Sequence, residues 1–343
     1  MDKIRLGRTN LMASRTAFGA LPIQRRTIED AIPILHRAYE AGVNYFDTAR
    51  AYSDSEEKLG LAFPPEIRKD IIIATKTTAI DADGFWEQLE ISLNKLKTEY
   101  IDVYQFHNPT TAPLPGENNG LYDAMLKARR QGKIRHISIT SHKLLVAKEA
   151  VLSGLYDTLQ FPFSLLAGEI ELELVELCRQ KDIGFIAMKA LSGGLLTDAR
   201  TAFAFMRVYE NVLPIWGIQH MHELDEFIGL ENSPPIFDEM MKKSIEHDRA
   251  ALSGDFCRGC GYCGPCPANI EIQTEARIYF LATRAPYQQF LSDDFQKKMA
   301  RAENCTGCGA CKQRCPYELD TPRLVAKQYE LYKDFVKINM PSI

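Results

Sequence analysis

The sequence predicts a (β/α)8 TIM barrel followed by a small, mainly helical, cysteine-rich domain. Between residues 14 and 229, eight short apolar runs are each followed by a segment of helical periodicity. Strands too apolar to alternate are typical of a parallel sheet covered on both faces, and eight such units close into a barrel. The chain has nine cysteines, of which eight fall between Cys257 and Cys315. We therefore predict a barrel domain over residues 1–245 and a second domain over residues 246–343.

Each predicted strand is a short run rich in aliphatic and β-branched residues, as expected for a buried parallel strand. In order, these runs are Ser14–Ala20, Val43–Thr48, Ile71–Lys76, Ile101–His107, Ile134–Thr140, Thr158–Phe163, Gly184–Lys189 and Val212–Ile218. An open, doubly wound sheet is the alternative architecture, but no Gly-x-Gly-x-x-Gly turn follows the first run. The segment Lys3–Met12 predicts a hairpin that covers the bottom of the barrel.

The predicted helices lie between these strands, and the first begins after Thr27, a residue type that caps helix N-termini. The segments are Ile28–Ala41, Ser55–Ala62, Gly84–Leu96, Gly120–Gln131, Lys143–Leu152, Ile170–Lys181, Asp198–Tyr209 and His222–Gly229. The run after Leu230 breaks the pattern, and Lys242–Ala251 predicts a linking helix. A further helical stretch, Ile272–Ala302, separates two groups of cysteines.

Composition and charge exclude several classes of protein. The formal net charge is −4, so no global basic field indicates a nucleic-acid partner. No apolar run reaches the roughly 18–20 residues that a membrane span requires, and the first residues lack the apolar core of a signal peptide. We therefore expect a cytoplasmic protein, in which clustered cysteines bind metal or act in redox chemistry more often than they form disulfides.

The cysteines form two runs that are typical of iron–sulfur ligation. The first run is Cys257-x2-Cys260-x2-Cys263-x2-Cys266-Pro, and the second is Cys305-x2-Cys308-x2-Cys311-x3-Cys315-Pro. The second has the spacing of bacterial ferredoxins, in which the fourth cysteine ligates the other cluster. We therefore predict two [4Fe–4S] clusters in a ferredoxin-like domain, one held by Cys257, Cys260, Cys263 and Cys315, the other by Cys266, Cys305, Cys308 and Cys311. Zinc is the alternative, although structural zinc usually takes two separated pairs.

Four polar residues fall at the carboxyl ends of three successive predicted strands, where barrels carry their chemistry. Asp47 ends the second strand and Tyr52 follows in its loop, while Lys76 and His107 end the next two. A buried lysine cation would lower the pKa of a neighbouring tyrosine from its ordinary value of about 10. The phenol could then protonate a carbonyl oxygen while hydride arrives at carbon, and His107 could orient the carbonyl or relay the proton.

Three sequence motifs around these residues resemble the signature of the aldo/keto reductases. They are Asn44-Tyr-Phe-Asp47-Thr-Ala-x-x-Tyr52, Ala74-Thr-Lys76 and Ile101-Asp-Val-Tyr-x-x-His107, and the likeness extends over residues 3–230. With the cysteine runs, the chain resembles the branch that carries a C-terminal iron–sulfur domain. The resemblance implies that Tyr52 is the general acid, that Lys76 and Asp47 tune it, and that His107 orients the substrate. It also implies hydride transfer between NAD(P)H and a small-molecule carbonyl or alcohol.

The same resemblance implies a set of cofactor-binding positions. Those near the nicotinamide and pyrophosphate are Thr140, Ser141, Gln160, Met188, Gly194 and Leu195, and those toward the adenosine are Gly217, Gln219, His220 and Glu226. Many family members place a lysine and an arginine against the 2′-phosphate of NADP(H) in this last segment. Here the segment offers Gln219, His220 and His222 but no fixed cation, and Glu223 would repel a phosphate. NAD(H) therefore deserves equal weight with NADP(H).

The two halves together leave three functions open. The first is a carbonyl reductase whose clusters are structural or redox-sensing. The second is an electron-transfer enzyme whose clusters exchange electrons with the barrel site through a ferredoxin, another electron carrier or a flavin; no flavin motif is present, although barrels bind flavin phosphate without one. The third is a non-catalytic, redox-sensing subunit, which would have no need of Tyr52.

Overall fold

A closed barrel of eight parallel strands forms the first part of the fold, in a computed structural model that describes residues 1–251, 256–284 and 287–340. Two short strands, β1 (Lys3–Arg5) and β2 (Met12–Ser14), pair with each other outside it. The barrel strands are β3 (Ala17–Gly19), β4 (Tyr45–Asp47), β5 (Ile72–Thr77), β6 (Ile101–His107), β7 (Ile134–Thr140), β8 (Thr158–Pro162), β9 (Gly184–Met188) and β10 (Val212–Gly217). Each strand pairs with the next in sequence, and β10 closes the barrel against β3. The predicted barrel is confirmed.

The helices of the barrel follow its strands, as predicted. They are α1 (Ile28–Glu40), α2 (Ser55–Ala62), α3 (Pro65–Arg68), α4 (Ala82–Lys95), α5 (Leu121–Arg130), α6 (Leu144–Ser153), α7 (Glu169–Gln180), α8 (Ala199–Arg207) and α9 (Met221–Asn232). The Thr27 side chain accepts a hydrogen bond from the Asp30 N–H and so caps α1, as the sequence indicates. Cys178, the cysteine outside the two runs, is fully buried in α7 and acts as a core residue. None of the helices in the described residues has both the length and the hydropathy of a membrane span.

The N-terminal hairpin packs on the amino-terminal part of the barrel strands. Ile4 and Leu6 belong to one apolar cluster with Tyr45, Ile72 and Leu213. The predicted hairpin is therefore present, and it buries the strand ends opposite those that carry the polar residues.

The first predicted strand, Ser14–Ala20, is divided in the structure. Ser14 ends β2 and pairs with Lys3 of the hairpin, while β3 begins only at Ala17. The Ser14 hydroxyl donates to the Thr16 carbonyl at 2.8 Å, and its N–H donates to the Asn44 side chain at 2.7 Å. One local hydrogen bond and one to a remote segment thus turn the backbone between two strands that the apolar pattern predicts as one.

A second compact unit contains Asp238–Ile343 together with the loop Leu191–Ala202, and the first unit contains the rest of the chain. Its helices are α10 (Glu239–Ala251), α11 (Ile272–Glu275), α12 (Ile278–Arg284), α13 (Asp293–Met299), α14 (Ala310–Gln313) and α15 (Thr321–Asn339), with 3₁₀ turns at Tyr287–Leu291 and Ala300–Asn304. Packing divides the units after Phe237, before α10, whereas the predicted boundary at 245 lies inside that helix. The predicted boundary also left the loop Leu191–Ala202 with the barrel.

The second unit has its own apolar core, which contains cysteines as well as ordinary core residues. Cys257 and Cys263 are buried in it with Ile278, Val325 and Tyr332. The Tyr332 hydroxyl donates to the Phe290 carbonyl at 2.5 Å, so α15 is tied to the 3₁₀ turn before α13. The predicted single helical stretch 272–302 is in fact several short helices, since turns interrupt it.

Candidate active site and cysteine-rich site

The four polar residues predicted from the strand ends meet at the carboxyl end of the barrel. Lys76 Nζ lies 2.5 Å from Asp47 Oδ1 and 5.2 Å from the centroid of the Tyr52 ring. The rings of Tyr52 and His107 meet edge to face, with centroids 5.8 Å apart and planes at 81°. Three neighbouring strands, β4, β5 and β6, supply the acid, the base and the imidazole, so their parallel pairing is what gathers the group.

Burial sets the electrostatics of this group. Asp47 and Lys76 are only 2% and 1% exposed, and burial raises the pKa of Asp47 and lowers that of Lys76. The ion pair at 2.5 Å opposes both shifts, and Lys76 also donates to the Thr48 carbonyl at 2.6 Å. Burial and the Lys76 cation lower the pKa of His107 to about 3, so its imidazole is neutral at physiological pH.

Two glutamines hold the Asp47 carboxylate, and the sequence reasoning missed this role for both. Gln105 Nε2 donates to Asp47 Oδ2 at 3.0 Å, and Gln160 Nε2 approaches Oδ1 at 3.5 Å. Gln105 precedes His107 by two residues on β6, so strand periodicity places both side chains on one face. That spacing is the signal that could have identified Gln105 from the sequence.

Of the three residues expected near the nicotinamide, Thr140 ends β7, Ser141 follows it, and Gln160 is the middle residue of the neighbouring strand β8. The Thr140 hydroxyl accepts the Asn108 N–H at 2.9 Å, and the Ser141 hydroxyl donates to the Lys143 carbonyl and accepts its N–H, both at 3.0 Å. Gln160 Oε1 is buried and has no hydrogen-bond partner among the described residues. A buried acceptor without a partner is costly, so this oxygen is suited to an amide N–H of a ligand.

The segment expected to contact the adenosine begins α9. The Glu223 carboxylate accepts the N–H groups of Gln219 at 2.7 Å and His220 at 2.9 Å. The Gln219 side-chain oxygen in turn accepts from Arg25 Nη1 at 3.4 Å. Arg25 belongs to the loop after β3 and supplies a cation that the segment itself lacks, and no local sequence signal links the two positions.

The other expected cofactor positions differ in exposure. Met188, at the end of β9, is half-buried, and its carbonyl accepts the Phe163 N–H at 3.0 Å. Gly217 and Glu226 are exposed in the first unit. Gly194 and Leu195 belong to the second unit, within the loop Leu191–Ala202.

The cysteines of the second unit fall into two neighbourhoods. Burial raises the pKa of Cys263 to about 12, with a further contribution from the nearby thiols of Cys257, Cys260 and Cys315. The remaining four, Cys266, Cys305, Cys308 and Cys311, line one cavity together with Ile270 and Val325. Each neighbourhood combines three cysteines of one run with the last cysteine of the other.

These four-thiol sets differ from a site for a single ion. No group of three or more histidine, cysteine or carboxylate side chains in the described ranges has the spacing to hold one metal ion. An iron–sulfur cubane carries its thiolates on four separate irons, and a thiol-lined cavity suits that donor set.

Comparison with known proteins identifies both parts of the chain. The model of the aldo/keto reductase family matches residues 16–207, and that of the 4Fe-4S dicluster domain matches residues 256–320. The chain therefore belongs to the aldo/keto reductase family and carries a 4Fe–4S domain after its barrel; it is an oxidoreductase.

Particular relatives resemble the barrel part. The oxidoreductase YqkF of Bacillus subtilis is 32% identical over 212 residues, which cover 58% of this chain and 67% of that protein. The NADH-specific methylglyoxal reductase of Escherichia coli is 27% identical over 233 residues, covering 59% of this chain and 71% of that protein.

Among solved structures, the holo form of an aldo-keto reductase from Bacillus halodurans superposes with a TM-score of 0.63 at 22% identity, covering 72% of this chain and 96% of that one. An aldo-keto reductase from Klebsiella pneumoniae in complex with NADPH gives 0.62 at 19% identity, covering 72% and 94%. These likenesses confirm the barrel fold.

Proposed function

We propose that this protein reduces a small-molecule aldehyde or ketone with a nicotinamide cofactor, and that its second unit holds two [4Fe–4S] clusters. The observation that carries the first part is the buried Asp47–Lys76 ion pair beside the rings of Tyr52 and His107. Protonation of a carbonyl oxygen requires a proton donor and groups that orient the carbonyl and stabilise the resulting anion. The phenol of Tyr52, the neutral imidazole of His107 and the ammonium group of Lys76 supply these at one end of the barrel.

Each of the four residues has a distinct part in this proposal. The Tyr52 hydroxyl donates its proton to the carbonyl oxygen of the substrate. The Lys76 ammonium stabilises the phenolate that forms, and Asp47 fixes that ammonium in place. His107 is neutral, so it holds the carbonyl oxygen by a hydrogen bond and adds no charge.

The unpartnered Gln160 Oε1 supports a nicotinamide at this site. The nicotinamide, when bound, supplies the hydride. Gln160 would hold its carboxamide together with Thr140 and Ser141, and Met188 would pack on its ring. Gly194 and Leu195 would lie along the pyrophosphate, and Gly217, Gln219, His220 and Glu226 along the adenosine. Because Glu223 stands beside the expected 2′-phosphate position, we propose that NADH serves at least as well as NADPH.

The two cysteine neighbourhoods support two clusters with crossed fourth ligands. Cys257, Cys260, Cys263 and Cys315 would hold the first cluster, and Cys266, Cys305, Cys308 and Cys311 the second. The clusters, when bound, supply one-electron transfer. Cys305 and Cys308 are exposed, which supports an external carrier such as a ferredoxin as a partner.

The catalytic proposal is tested by replacing Tyr52 with Phe, which removes the proton donor and keeps the ring. With methylglyoxal as the first substrate of an aldehyde panel, we expect kcat of NADH- or NADPH-dependent reduction to fall about 10²–10⁴-fold. Cofactor binding, followed by quenching of protein fluorescence, and the cluster absorbance should stay as in the wild type.

A matched control is Tyr39→Phe, which removes a hydroxyl from α1 and should leave turnover unchanged. Undiminished turnover of the Tyr52→Phe protein would refute the assignment of Tyr52 as the acid.

A further inference from the structure

Arg277 lies between the loop after β9 and the first cysteine run. Its Nη1 donates to the Gly193 carbonyl at 2.8 Å and lies 3.5 Å from the Ser192 carbonyl, while its Nε donates to the Gln273 carbonyl at 2.9 Å. All these residues, with Gly259 of the cysteine run, belong to the second unit.

Two glycines make room for this guanidinium. A Cβ at Gly259 would lie 2.5 Å from Arg277 Cζ, and one at Gly193 would lie 2.8 Å from Nη1. Both glycines have positive φ, +62° and +67°, which an L side chain rarely adopts. The backbones of two distant segments are therefore shaped around one side chain.

On one side, Arg277 packs against Gly259, which hydrogen-bonds to a thiol of the first predicted cluster. The Gly259 N–H donates to Cys257 Sγ at 3.3 Å, and Gly259 packs directly on the guanidinium. A charge added at this thiol is thus felt by Arg277.

On the other side, Arg277 holds a loop in the place where barrels bind phosphate. Leu191–Leu195 follows β9, the seventh barrel strand, and the loops after the seventh and eighth strands commonly form the phosphate site of this fold. Three consecutive residues of the loop, Ser192, Gly193 and Gly194, have positive φ. The Arg277 contacts with the Ser192 and Gly193 carbonyls help to set the shape of this loop, together with the hydrogen bond from the Gly194 N–H to the Leu191 carbonyl at 3.0 Å.

We propose that Arg277 is a positioning residue that couples dinucleotide binding to the redox state of the first cluster. This inference rests on the proposed function, since it requires both the cofactor and the cluster. Reduction by an external one-electron donor adds a negative charge near Cys257 and draws the guanidinium away from Gly193. The loop is then less well held for a pyrophosphate. By linkage, a bound dinucleotide must make the cluster harder to reduce by the same factor.

The test uses the anaerobic full-length holoprotein and ADP-ribose, which carries the adenosine and pyrophosphate but cannot accept hydride; its 2′-phosphate form serves as a second probe. Calorimetry gives Kd for the protein as isolated and after dithionite reduction. EPR-monitored titration gives the midpoint potential of the first cluster with and without the probe. We expect ADP-ribose to bind about tenfold more weakly to the reduced protein. By linkage, this corresponds to a fall of about 59 mV in the one-electron midpoint potential of the first cluster when ADP-ribose is bound.

Two variants and a control assign this coupling to Arg277. In Arg277→Gln, Kd for the oxidised protein should rise and the difference between redox states should shrink below about twofold. Arg277→Lys keeps the charge without the planar fork and should retain part of the coupling. Arg314→Gln is the control: Arg314 donates to the carbonyls of Gly264 and Pro265 at 2.7 and 3.1 Å, and its loss should leave ADP-ribose binding and the coupling as in the wild type.

The outcomes separate this inference from the proposed function. Equal ADP-ribose affinity in both redox states, with Tyr52-dependent reduction intact, overturns the coupling alone. A difference in ADP-ribose affinity between the two redox states that persists or grows in Arg277→Gln also overturns the coupling. Direct repulsion between the reduced cluster and the pyrophosphate would then be the cause. Failure of the wild type to bind ADP-ribose, NADH or NADPH overturns both proposals.

Discussion

At the residue scale, His107 shows how burial decides the role of a titratable group. Its imidazole is buried beside the Lys76 cation, and together these lower its pKa to about 3. Nδ1 has no hydrogen-bond partner among the described residues, so the ring is held by packing against Tyr52 rather than by a carboxylate. A neutral ring of this kind can orient a carbonyl without competing with Tyr52 as the proton donor.

The buried neutral state of His107 predicts a pH dependence of stability. Below its unfolded pKa of about 6.5, the unfolded chain binds a proton that the folded protein excludes down to about pH 3. The free energy of unfolding therefore falls as the pH is lowered through this window, by up to about 1.4 kcal/mol per pH unit. His107→Gln should lose that contribution, as measured by urea unfolding at pH 7.0 and 5.5 with near-ultraviolet circular dichroism.

The wild type and His107→Gln are compared by the slope of the free energy of unfolding against pH, and not by their absolute stabilities. His247→Gln, on the exposed part of α10, is the control and should keep the slope of the wild type. An identical slope in His107→Gln would mean that this imidazole is not kept neutral by the fold.

At the element scale, the start of α9 shows how a capping residue can set specificity. Glu223 is the third residue of this helix, and it satisfies two backbone N–H groups that a phosphate would otherwise bind. The Glu223 carboxylate thereby occupies these two donors and places a negative charge at the helix terminus. Arg25 brings a positive charge to this end through Gln219, and Arg37 brings another by pairing with Asp225, two residues after Glu223.

We therefore predict that Glu223→Gln shifts the preference toward NADPH. Loss of the negative charge should lower Kd for NADPH about fivefold relative to Kd for NADH, or about 1 kcal/mol, while the amide oxygen still caps the helix. Asp225→Asn removes the same charge from the same helix, at a residue paired with Arg37, and should leave the ratio unchanged. If the ratio of Kd for NADPH to Kd for NADH changes equally in both variants, a local effect of the Glu223 charge is ruled out.

The elements predicted most accurately are those whose own residues determine them. Strands β6 and β7 match their predictions to the residue because each is a seven-residue run rich in β-branched or aromatic residues, and the hairpin follows from its local pattern. The division at Ser14 and the role of Arg25 depend on hydrogen bonds to remote segments. The order of the strands is enough to predict that Asp47, Lys76 and His107 come together. The approach of Gln160 to Asp47 is not predicted, because the sequence identifies Gln160 only as a cofactor contact.

At the scale of the whole molecule, the two cysteine runs are interleaved rather than placed in sequence. The last thiol of each run lies with the first three of the other, so neither run completes a set of four thiols by itself. The helices between Cys266 and Cys305 build the core that brings the runs together. We therefore expect folding of this unit and assembly of the proposed clusters to be one event.

This arrangement predicts which thiols each substitution exposes. The wild type should contain about eight iron and eight sulfide per chain, and Cys315→Ala or Cys266→Ala about four of each. In Cys315→Ala, iodoacetamide should label Cys257, Cys260 and Cys263, and in Cys266→Ala it should label Cys305, Cys308 and Cys311, as mapped by mass spectrometry. Labelling of the run that contains the substitution would show that each run holds its own cluster, and stoichiometric zinc would refute clusters altogether.

The assignment of the loop Leu191–Ala202 to the cysteine-bearing unit affects how the chain can be divided. A protein ending at residue 245 would keep Asp47, Tyr52, Lys76 and His107 but would leave this loop without Arg277 and the other groups it packs on. The barrel is thus not an interchangeable module to which an iron–sulfur domain has been appended. Exchange of the C-terminal part between relatives would have to carry the loop with it, although 35 residues of the first unit separate the loop from Asp238.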